Sequence, residues 1–212
     1  MSDDRLGNVF ACWEPSKEFC ERMPPPPAQV LARIGREFGT GLARVYAFGD
    51  SVRLGGGDLS FAPAADSGDT GLFTGTDRLR RWGWEFPSAI RVFGWNGGGD
   101  PYGLWVADGR SRPVIAVGST DVFTITAPSI ESFLLLQTAL LSVWSQIPAT
   151  ALDGLRLPDT LRLQSDEIPD EYVAALRRWA GAELPEGLSG DPYDDRLTED
   201  EMTKVVEQWS RG

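Results

Sequence analysis

The stretch Arg91-Val92-Phe93-Gly94-Trp95-Asn96-Gly97-Gly98-Gly99-Asp100-Pro101-Tyr102-Gly103-Leu104-Trp105-Val106 decides how the rest of this sequence is interpreted. Two short runs of aromatic and β-branched residues enclose a block of glycine, asparagine, aspartate and proline. The first kind of residue favours strands, and the second supplies the backbone freedom and local hydrogen bonds that tight turns need. The stretch therefore predicts a strand, a glycine-rich turn and a second strand.

Further strands are predicted on both sides of this stretch. Short turns separate four consecutive strands at about 89–94, 103–107, 113–118 and 121–126, which favours an antiparallel meander over a parallel sheet. Upstream, strands at 52–54 and 58–61 are joined by Gly55-Gly56-Gly57. No Gly-Lys-Ser/Thr follows these glycines, so they indicate a hairpin turn and not a phosphate-binding loop.

Helices are predicted before, within and after these strands. A proline run at 24–27 leads into a helix over 28–38, and Thr76 or Asp77 caps a helix that ends before Pro87. Ser129 caps the longest helix, which reaches about residue 147 and is apolar on more than one face, so it should be deeply buried. The C-terminal part predicts short strands at 155–157 and 161–163, a helix that starts after Pro169 and reaches Gly181, and a last amphipathic helix opened by a capping box at 198–201.

These elements predict an α+β fold in which a mixed, largely antiparallel sheet is packed by helices. Changes in composition divide the chain into an N-terminal arm, 1–23, an α+β domain, 24–147, and an acidic, mostly helical C-terminal extension, 148–212.

Several kinds of chemistry lack the residues they need. The chain has no histidine and two cysteines, so it lacks the commonest general base and zinc ligand, and a zinc site with four cysteine and histidine ligands cannot be assembled. We therefore predict no catalytic, cofactor-binding or metal-binding residues. The sequence also shows no signal peptide, no membrane span and no disulfide framework, and we expect a cytoplasmic protein.

The charge is strongly negative and uneven. The formal net charge is −11, and residues 148–212 hold 15 acidic and 7 basic residues. This balance argues against nucleic-acid binding, which depends on clustered lysine and arginine. The acidic extension is either a solvated surface or a patch that attracts a basic partner, and the sequence leaves both possibilities open.

The order of several motifs points to a family. Four motifs follow one another along the chain. They are the proline-led first helix, the segment from Val92-Phe93-Gly94 to Gly99-Asp100-Pro101-Tyr102-Gly103-Leu104, the pair Pro113-Val114, and the helix opening Ser129-Ile130-Glu131-Ser132-Phe133-Leu134. In this order they resemble the SUKH superfamily, which joins fungal cell-wall regulators of the Smi/Knr type to bacterial immunity proteins. The resemblance covers about residues 24–147.

The resemblance implies a SUKH-like α+β domain without catalytic residues. It also implies a cytoplasmic antitoxin that binds a toxin domain, often a nuclease or deaminase, and blocks it. A nucleic-acid-targeting toxin is basic, which fits the acidity of this chain. The main functional hypothesis is thus a non-enzymatic bacterial immunity protein that acts through protein-protein interaction.

Candidate partner-binding residues come from the aromatic residues, the turn and the acidic extension. Buried aromatic residues ringed by polar groups dominate many interfaces, although most tryptophans serve a core. The candidates are Trp82, Trp84, Trp95, Asp100, Tyr102, Trp105, Glu183, Glu186, Asp191, Asp194 and Asp195.

Two other functions stay open. One is a housekeeping scaffold or regulatory module of the Smi/Knr type that binds a cellular protein. The other, less favoured, is a carboxylate-dependent enzyme that uses a pair such as Asp66 and Asp69 or Asp194 and Asp195, but nothing in the sequence supplies the pocket that would raise a carboxylate pKa.

Overall fold

Seven strands form one antiparallel sheet in which the spatial order is the order along the chain. The computed structural model describes residues 4–15, 19–64, 71–81, 83–84, 87–106, 113–117, 123–144, 149–162, 168–189 and 195–209. The strands are β1 Cys20–Met23, β2 Asp50–Leu54, β3 Leu59–Phe61, β4 Ile90–Asn96, β5 Pro101–Trp105, β6 Val114–Val117 and β7 Phe123–Ala127. The predicted α+β fold and the central meander are confirmed, and the pairings between these strands are all antiparallel and not mixed.

The β4–β5 hairpin has the turn that the sequence predicts. Asn96 and Asp100 close it, because the Asn96 N–H donates to the Asp100 carbonyl at 2.9 Å and the Gly99 N–H donates to the Asn96 carbonyl at 3.0 Å. Gly99 has a φ of +89°, a conformation that side chains rarely adopt. The strand register shifts between Val92 and Gly94. Phe93, which lies between these two residues, is fully buried in the main core.

Eight helices surround the described part of the sheet. They are α1 Arg5–Trp13, α2 Ala28–Glu37, α3 Thr40–Phe48, α4 Gly75–Arg81, α5 Ile130–Trp144, α6 Ala149–Leu155, α7 Asp170–Ala180 and α8 Glu199–Trp209. Short 3₁₀ turns occupy Gly55–Gly57 and Asp159–Leu161. The predicted helices over 28–38, after Ser129 and after Pro169 are confirmed, and so is the capping box, in which the Glu201 carboxylate accepts from the Thr198 N–H at 2.9 Å.

The three segments that composition distinguishes share one hydrophobic core. Leu6 and Val9 of α1, Phe133 of α5 and Leu176 of α7 are all fully buried in the same cluster. In addition, β1 is the first strand of the sheet, so the N-terminal residues contribute both a helix and a strand. The divisions near residues 23 and 147 therefore do not separate one core from another.

The last helix covers the second face of the sheet. Met202 and Val206 of α8 are buried in a second cluster with residues of β4 to β7, including Ile115 and Phe123. A backbone bridge between Phe123 and Leu197 ties the chain just before α8 to the outer edge of β7. The sheet is thus buried on both faces at its β7 end. The apolar stripe predicted for the last helix packs against the second of these faces.

The strand predicted at 155–157 is wrong, and the one predicted at 161–163 is wrong at residues 161 and 162, while Leu163 lies outside the described residues. Residues up to Leu155 belong to α6, and Asp159–Leu161 forms a 3₁₀ turn. Leu155 and Leu157 are both buried, and the exposed Arg156 between them has a φ of +56°. The left-handed backbone at Arg156 follows the end of α6, so the buried–exposed–buried alternation of residues 155–157 arises without a strand.

Candidate binding cavity

A cavity of about 210 Å³ lies where the β4–β5 turn, strands β6 and β7, and helices α5 and α7 meet. Its walls combine polar and apolar side chains and include the glycine-rich turn between β4 and β5. The lining residues are Asn96, Asp100, Tyr102, Ala116, Val117, Thr124, Thr126, Leu136, Gln137, Leu140 and Arg177.

Asn96 and Asp100 form a rigid wall at the turn. The Asn96 amide Nδ2 donates to Oδ2 of Asp100 at 3.0 Å, and the Asp100 backbone N–H donates to Oδ1 of Asn96 at 2.8 Å. This reciprocal pair fixes the Asp100 carboxylate on the turn, while the residue stays exposed to solvent. The carboxylate is therefore a pre-positioned negative charge beside the cavity.

Tyr102 presents a neutral hydroxyl to this site. Its ring packs edge-on against Phe133, with ring centroids 4.9 Å apart, and parallel to Phe93 at 6.4 Å. Burial raises the pKa of Tyr102 to about 12, and the nearby negative charge of Asp100 adds to the effect. Among the described residues the hydroxyl has no hydrogen-bond partner. It remains protonated near neutral pH and can both donate and accept.

The strand wall is already hydrogen-bonded within the protein. The Thr126 hydroxyl donates to the Val114 carbonyl at 2.9 Å, and the Thr124 hydroxyl donates to the Asp195 carbonyl at 3.2 Å. These threonines therefore shape the cavity and have their donors occupied.

Gln137 and Arg177 form the polar part of the helix wall. Nη1 of Arg177 donates to the Thr126 carbonyl at 3.0 Å and to the Ala182 carbonyl at 3.5 Å, which joins α7 to β7 and to the chain that follows α7. The Gln137 amide makes no hydrogen bond within the part of the chain that the structure describes. The cavity thus holds a fixed cation, a fixed anion and two uncharged groups that can hydrogen-bond a ligand.

Sequence reasoning selected Asp100 and Tyr102 and missed Gln137 and Arg177. One signal for Gln137 was present, since it interrupts the apolar sequence of α5 together with Thr138 and Ser142. The Thr138 hydroxyl accepts from the Trp13 indole N–H at 3.1 Å and Ser142 donates to the backbone at 2.7 Å, so only Gln137 of these three lacks an internal partner in the described structure.

The described candidate tryptophans lie in or against the cores. Trp105 is 6% exposed within the second cluster, Trp84 packs against that cluster, and Trp95 packs against the main core. Trp84 and Trp95 stay partly exposed. Trp82 lies outside the described residues.

The acidic candidates divide into two environments. Glu183 and Glu186 are exposed, in the segment after α7 whose Leu184 and Leu188 pack against the second cluster. Asp195 is 8% exposed, and its carboxylate accepts a hydrogen bond from Ser189 at 3.1 Å. Asp195 is thus buried and hydrogen-bonded within the chain, whereas Glu183 and Glu186 face solvent.

The remaining acidic candidates, Asp191 and Asp194, lie outside the described residues, as do Asp66 and Asp69 of the enzyme alternative. Within the described ranges, no three histidine, cysteine, aspartate or glutamate residues are grouped to hold a metal ion. No described helix has both the length and the apolar character to cross a bilayer.

The comparisons with known proteins add no relative. No family model, no curated protein and no solved structure matches this chain. The resemblance to the SUKH superfamily accordingly remains an inference from sequence motifs.

Proposed function

We propose that this chain is a non-enzymatic, cytoplasmic immunity protein that binds a basic, nucleic-acid-targeting toxin domain and covers its active site. The motif order from the proline-led helix to α5 supports the SUKH resemblance on which this proposal depends. The net charge of −11 supports a basic partner independently.

One observation carries the proposal furthest: exposed acidic residues sit on a segment that is anchored to the folded body. Glu183 and Glu186 flank Leu184, which packs against the second hydrophobic cluster. Arg177 hydrogen-bonds the Ala182 carbonyl just before them. Charges held on a packed segment need little further ordering on binding, which favours association.

A fixed acidic surface suits the proposed mechanism in two ways. It attracts a basic partner over distance, and such steering raises association rates by about 10- to 1,000-fold. It also places carboxylates where the toxin would bind nucleic-acid phosphates, so the two ligands compete for one basic surface. Neutralisation then needs no chemistry from this chain.

Co-expression tests the proposal directly. The product of the neighbouring gene is expressed alone and together with this chain, and cell growth and nucleic-acid integrity are measured. We expect the neighbour to be toxic alone and harmless together, with the two proteins co-purifying as a complex.

A charge-reversal pair then tests the acidic surface. Glu183→Lys combined with Glu186→Lys should abolish protection, whereas Glu14→Lys combined with Glu37→Lys changes the net charge equally at exposed sites elsewhere and should keep it. Among the described residues, the side chains of the control acids take part only in surface ion pairs, which contribute little to stability. If the product of the neighbouring gene were not toxic, the proposed immunity function would be contradicted. If that product bound this chain without being toxic, the regulatory module would be favoured.

A further inference from the structure

Gln137 brings a primary amide to the wall of the cavity. The side chain is partly buried in α5, and within the described residues it makes no hydrogen bond. Its N–H donors and its carbonyl acceptor belong to one planar group, so their spacing is fixed by the amide itself. The complement of this group is an edge on which a donor lies beside an acceptor, and glutamine pairs in this way with the edge of adenine.

Asp100 and Tyr102 define the polarity of the other groups of the ligand. The Asp100 carboxylate is fixed on the β4–β5 turn and can only accept hydrogen bonds. The Tyr102 hydroxyl has no partner among the described residues and can both donate and accept. A ligand with additional N–H donors therefore suits these groups. Arg177 is not needed for either contact, since its guanidinium already donates to two backbone carbonyls.

Leu136, Leu140, Ala116 and Val117 give the cavity its apolar surface. Apolar side chains of this kind pack against the faces of a base in pockets that hold a nucleobase outside a double helix, while polar groups hydrogen-bond its edge. Small-molecule sites in general combine apolar walls with a few converging polar groups. A planar heterocycle with a polar edge fits both kinds of wall.

The size and the charge of the cavity favour a small, uncharged ligand. At about 210 Å³ it falls below the roughly 300–1,000 Å³ of pockets for drug-sized compounds. A molecule with about ten non-hydrogen atoms, the size of a nucleobase, suits this space better than a nucleotide does. A phosphate group would also add negative charge beside the Asp100 carboxylate, in a chain whose net charge is −11.

We propose that this cavity binds a free nucleobase that carries an amino group beside a ring nitrogen, as adenine and cytosine do. The amino group and the neighbouring ring nitrogen pair with the Gln137 amide, and the ring lies against Leu136 and Leu140. The Asp100 carboxylate and the Tyr102 hydroxyl take up the remaining hydrogen bonds of the base. This site goes beyond the proposed immunity function and is tested without any protein partner, so either proposal can fail alone.

Calorimetric titration of the full chain with adenine and with cytosine tests the proposal, with the melting temperature as a second readout. We expect saturable binding of at least one base and a melting temperature that rises with its concentration. Hypoxanthine and uracil carry a carbonyl in place of the amino group, and the dimethylamino derivatives of adenine and cytosine lack its N–H donors. Each should bind at least about fivefold more weakly, because Gln137 and Asp100 lose a donor. The 5′-monophosphate of the same base should also bind more weakly than the base.

Tyr102→Phe and Gln137→Leu test the location. Neither change breaks a hydrogen bond within the described structure, so each should weaken binding of the base about two- to tenfold and leave the melting temperature of the free protein nearly unchanged. Tyr172→Phe is the matched control, because the Tyr172 hydroxyl donates to the Leu161 carbonyl at 2.9 Å outside the cavity. It should lower the melting temperature and leave binding as in the wild type.

Four results would overturn the proposal. The first is the absence of saturable heat and of any melting-temperature rise with both adenine and cytosine up to about 5 mM. The second is equal binding of the amino base, its keto counterpart and its dimethylamino derivative. The third is binding of the monophosphate that is as tight as that of the base or tighter. The fourth is wild-type binding by both Tyr102→Phe and Gln137→Leu, which would place the ligand elsewhere on the protein.

Discussion

The hydroxyl of Thr124 in β7 donates a 3.2 Å hydrogen bond to the backbone carbonyl of Asp195, 71 residues further along the chain. Beside it, the N–H and carbonyl of Phe123 are paired with those of Leu197 at 3.2 Å and 2.9 Å. These bonds hold the chain before α8 against the sheet edge. The acidic C-terminal extension is consequently part of the folded body in its described residues.

Met202→Ala should destabilise the whole protein because α8 is docked through its apolar side chains. Met202 is completely buried between α8 and the sheet, and replacing such a methionine by alanine typically costs about 2–5 kcal/mol of unfolding free energy. Urea unfolding measures the change. Gln208→Ala, at an exposed position of the same helix, should stay within about 0.5 kcal/mol of the wild type. Equal stability of the two variants would contradict the docking of α8.

The sequence predicted the elements whose structure is decided locally. The β4–β5 hairpin follows from turn residues between Phe93 and Tyr102, and the meander follows from the short connections between strands. The amphipathic pattern of α8 predicted a helix in need of a surface, but it contained no information about which face of the sheet would provide it. The left-handed backbone conformation at Arg156 was missed because a positive φ at arginine has no sequence signature.

In the candidate site, too, the sequence predicted only the residues that belong to a local element. Asp100 and Tyr102 were selected because they belong to the turn itself. Arg177 joins them only through the fold, since it hydrogen-bonds Thr126 across 51 residues of sequence. No local pattern encodes such a contact, and an arginine on an amphipathic helix is ordinarily interpreted as a solvated charge.

Gly94→Ala should damage the centre of the sheet. A Cβ atom at Gly94 would overlap the backbone carbonyl oxygen of Ser60 in the neighbouring strand β3, and that oxygen cannot move without breaking the strand pairing. Such overpacking costs about 1–3 kcal/mol, and more where backbone has to shift. Thermal unfolding followed by circular dichroism measures the effect.

Gly75→Ala is the control for this substitution. Apart from its chain neighbours and the backbone of its own helix, no atom of the described residues lies within 4 Å of a Cβ placed at Gly75, which is the first residue of α4. Alanine there should be neutral or slightly stabilising, because it has the higher helix propensity. If both alanine variants melted at the wild-type temperature, the close approach of β3 and β4 would be refuted.

Tyr46→Phe should destabilise the protein although it removes a single oxygen atom. The Tyr46 hydroxyl donates to the Ala62 carbonyl at 2.5 Å, and both residues are buried. The substitution leaves the buried carbonyl without this donor, which costs about 1–3 kcal/mol. Tyr102→Phe loses no hydrogen bond to the described residues and should be nearly neutral in the same denaturant titration. Equal losses of stability in the two variants would show that the hydroxyl of Tyr46 makes no special contribution.

Stability should decline in alkaline solution because two cysteines are buried as thiols. Burial raises the pKa of Cys12 from its ordinary value of 9.0 to about 12, with a further contribution from Cys20, and burial raises the pKa of Cys20 to about 11. The unfolded chain releases these protons near pH 9, whereas the folded chain keeps them. The stabilising effect is complete below pH 9 and is lost as the pH rises through the folded pKa values, at about 1.4 kcal/mol per pH unit and thiol.

Cys12→Ala separates this effect from other alkaline titrations. The variant is less stable than the wild type at pH 8, because it removes buried volume. Its deficit should shrink by about 1.4 kcal/mol for each pH unit above pH 9, because only the wild type still loses the contribution of Cys12. Parallel stability curves for wild type and variant, from urea midpoints between pH 8 and 11, would contradict a buried thiol with a raised pKa.

Neutralising the exposed acids Glu183 and Glu186 should slow association with a basic partner and leave dissociation almost unchanged. With the partner from the co-expression experiment, Glu183→Gln combined with Glu186→Gln should lower the association rate constant several-fold at low ionic strength. The difference should vanish near 1 M salt, where the Debye length is about 3 Å. Stopped-flow fluorescence measures both rates, and Glu14→Gln combined with Glu37→Gln is the charge-matched control. An equal slowing by both pairs would mean that only net charge steers the partner, and no surface formed by Glu183 and Glu186 would then be needed.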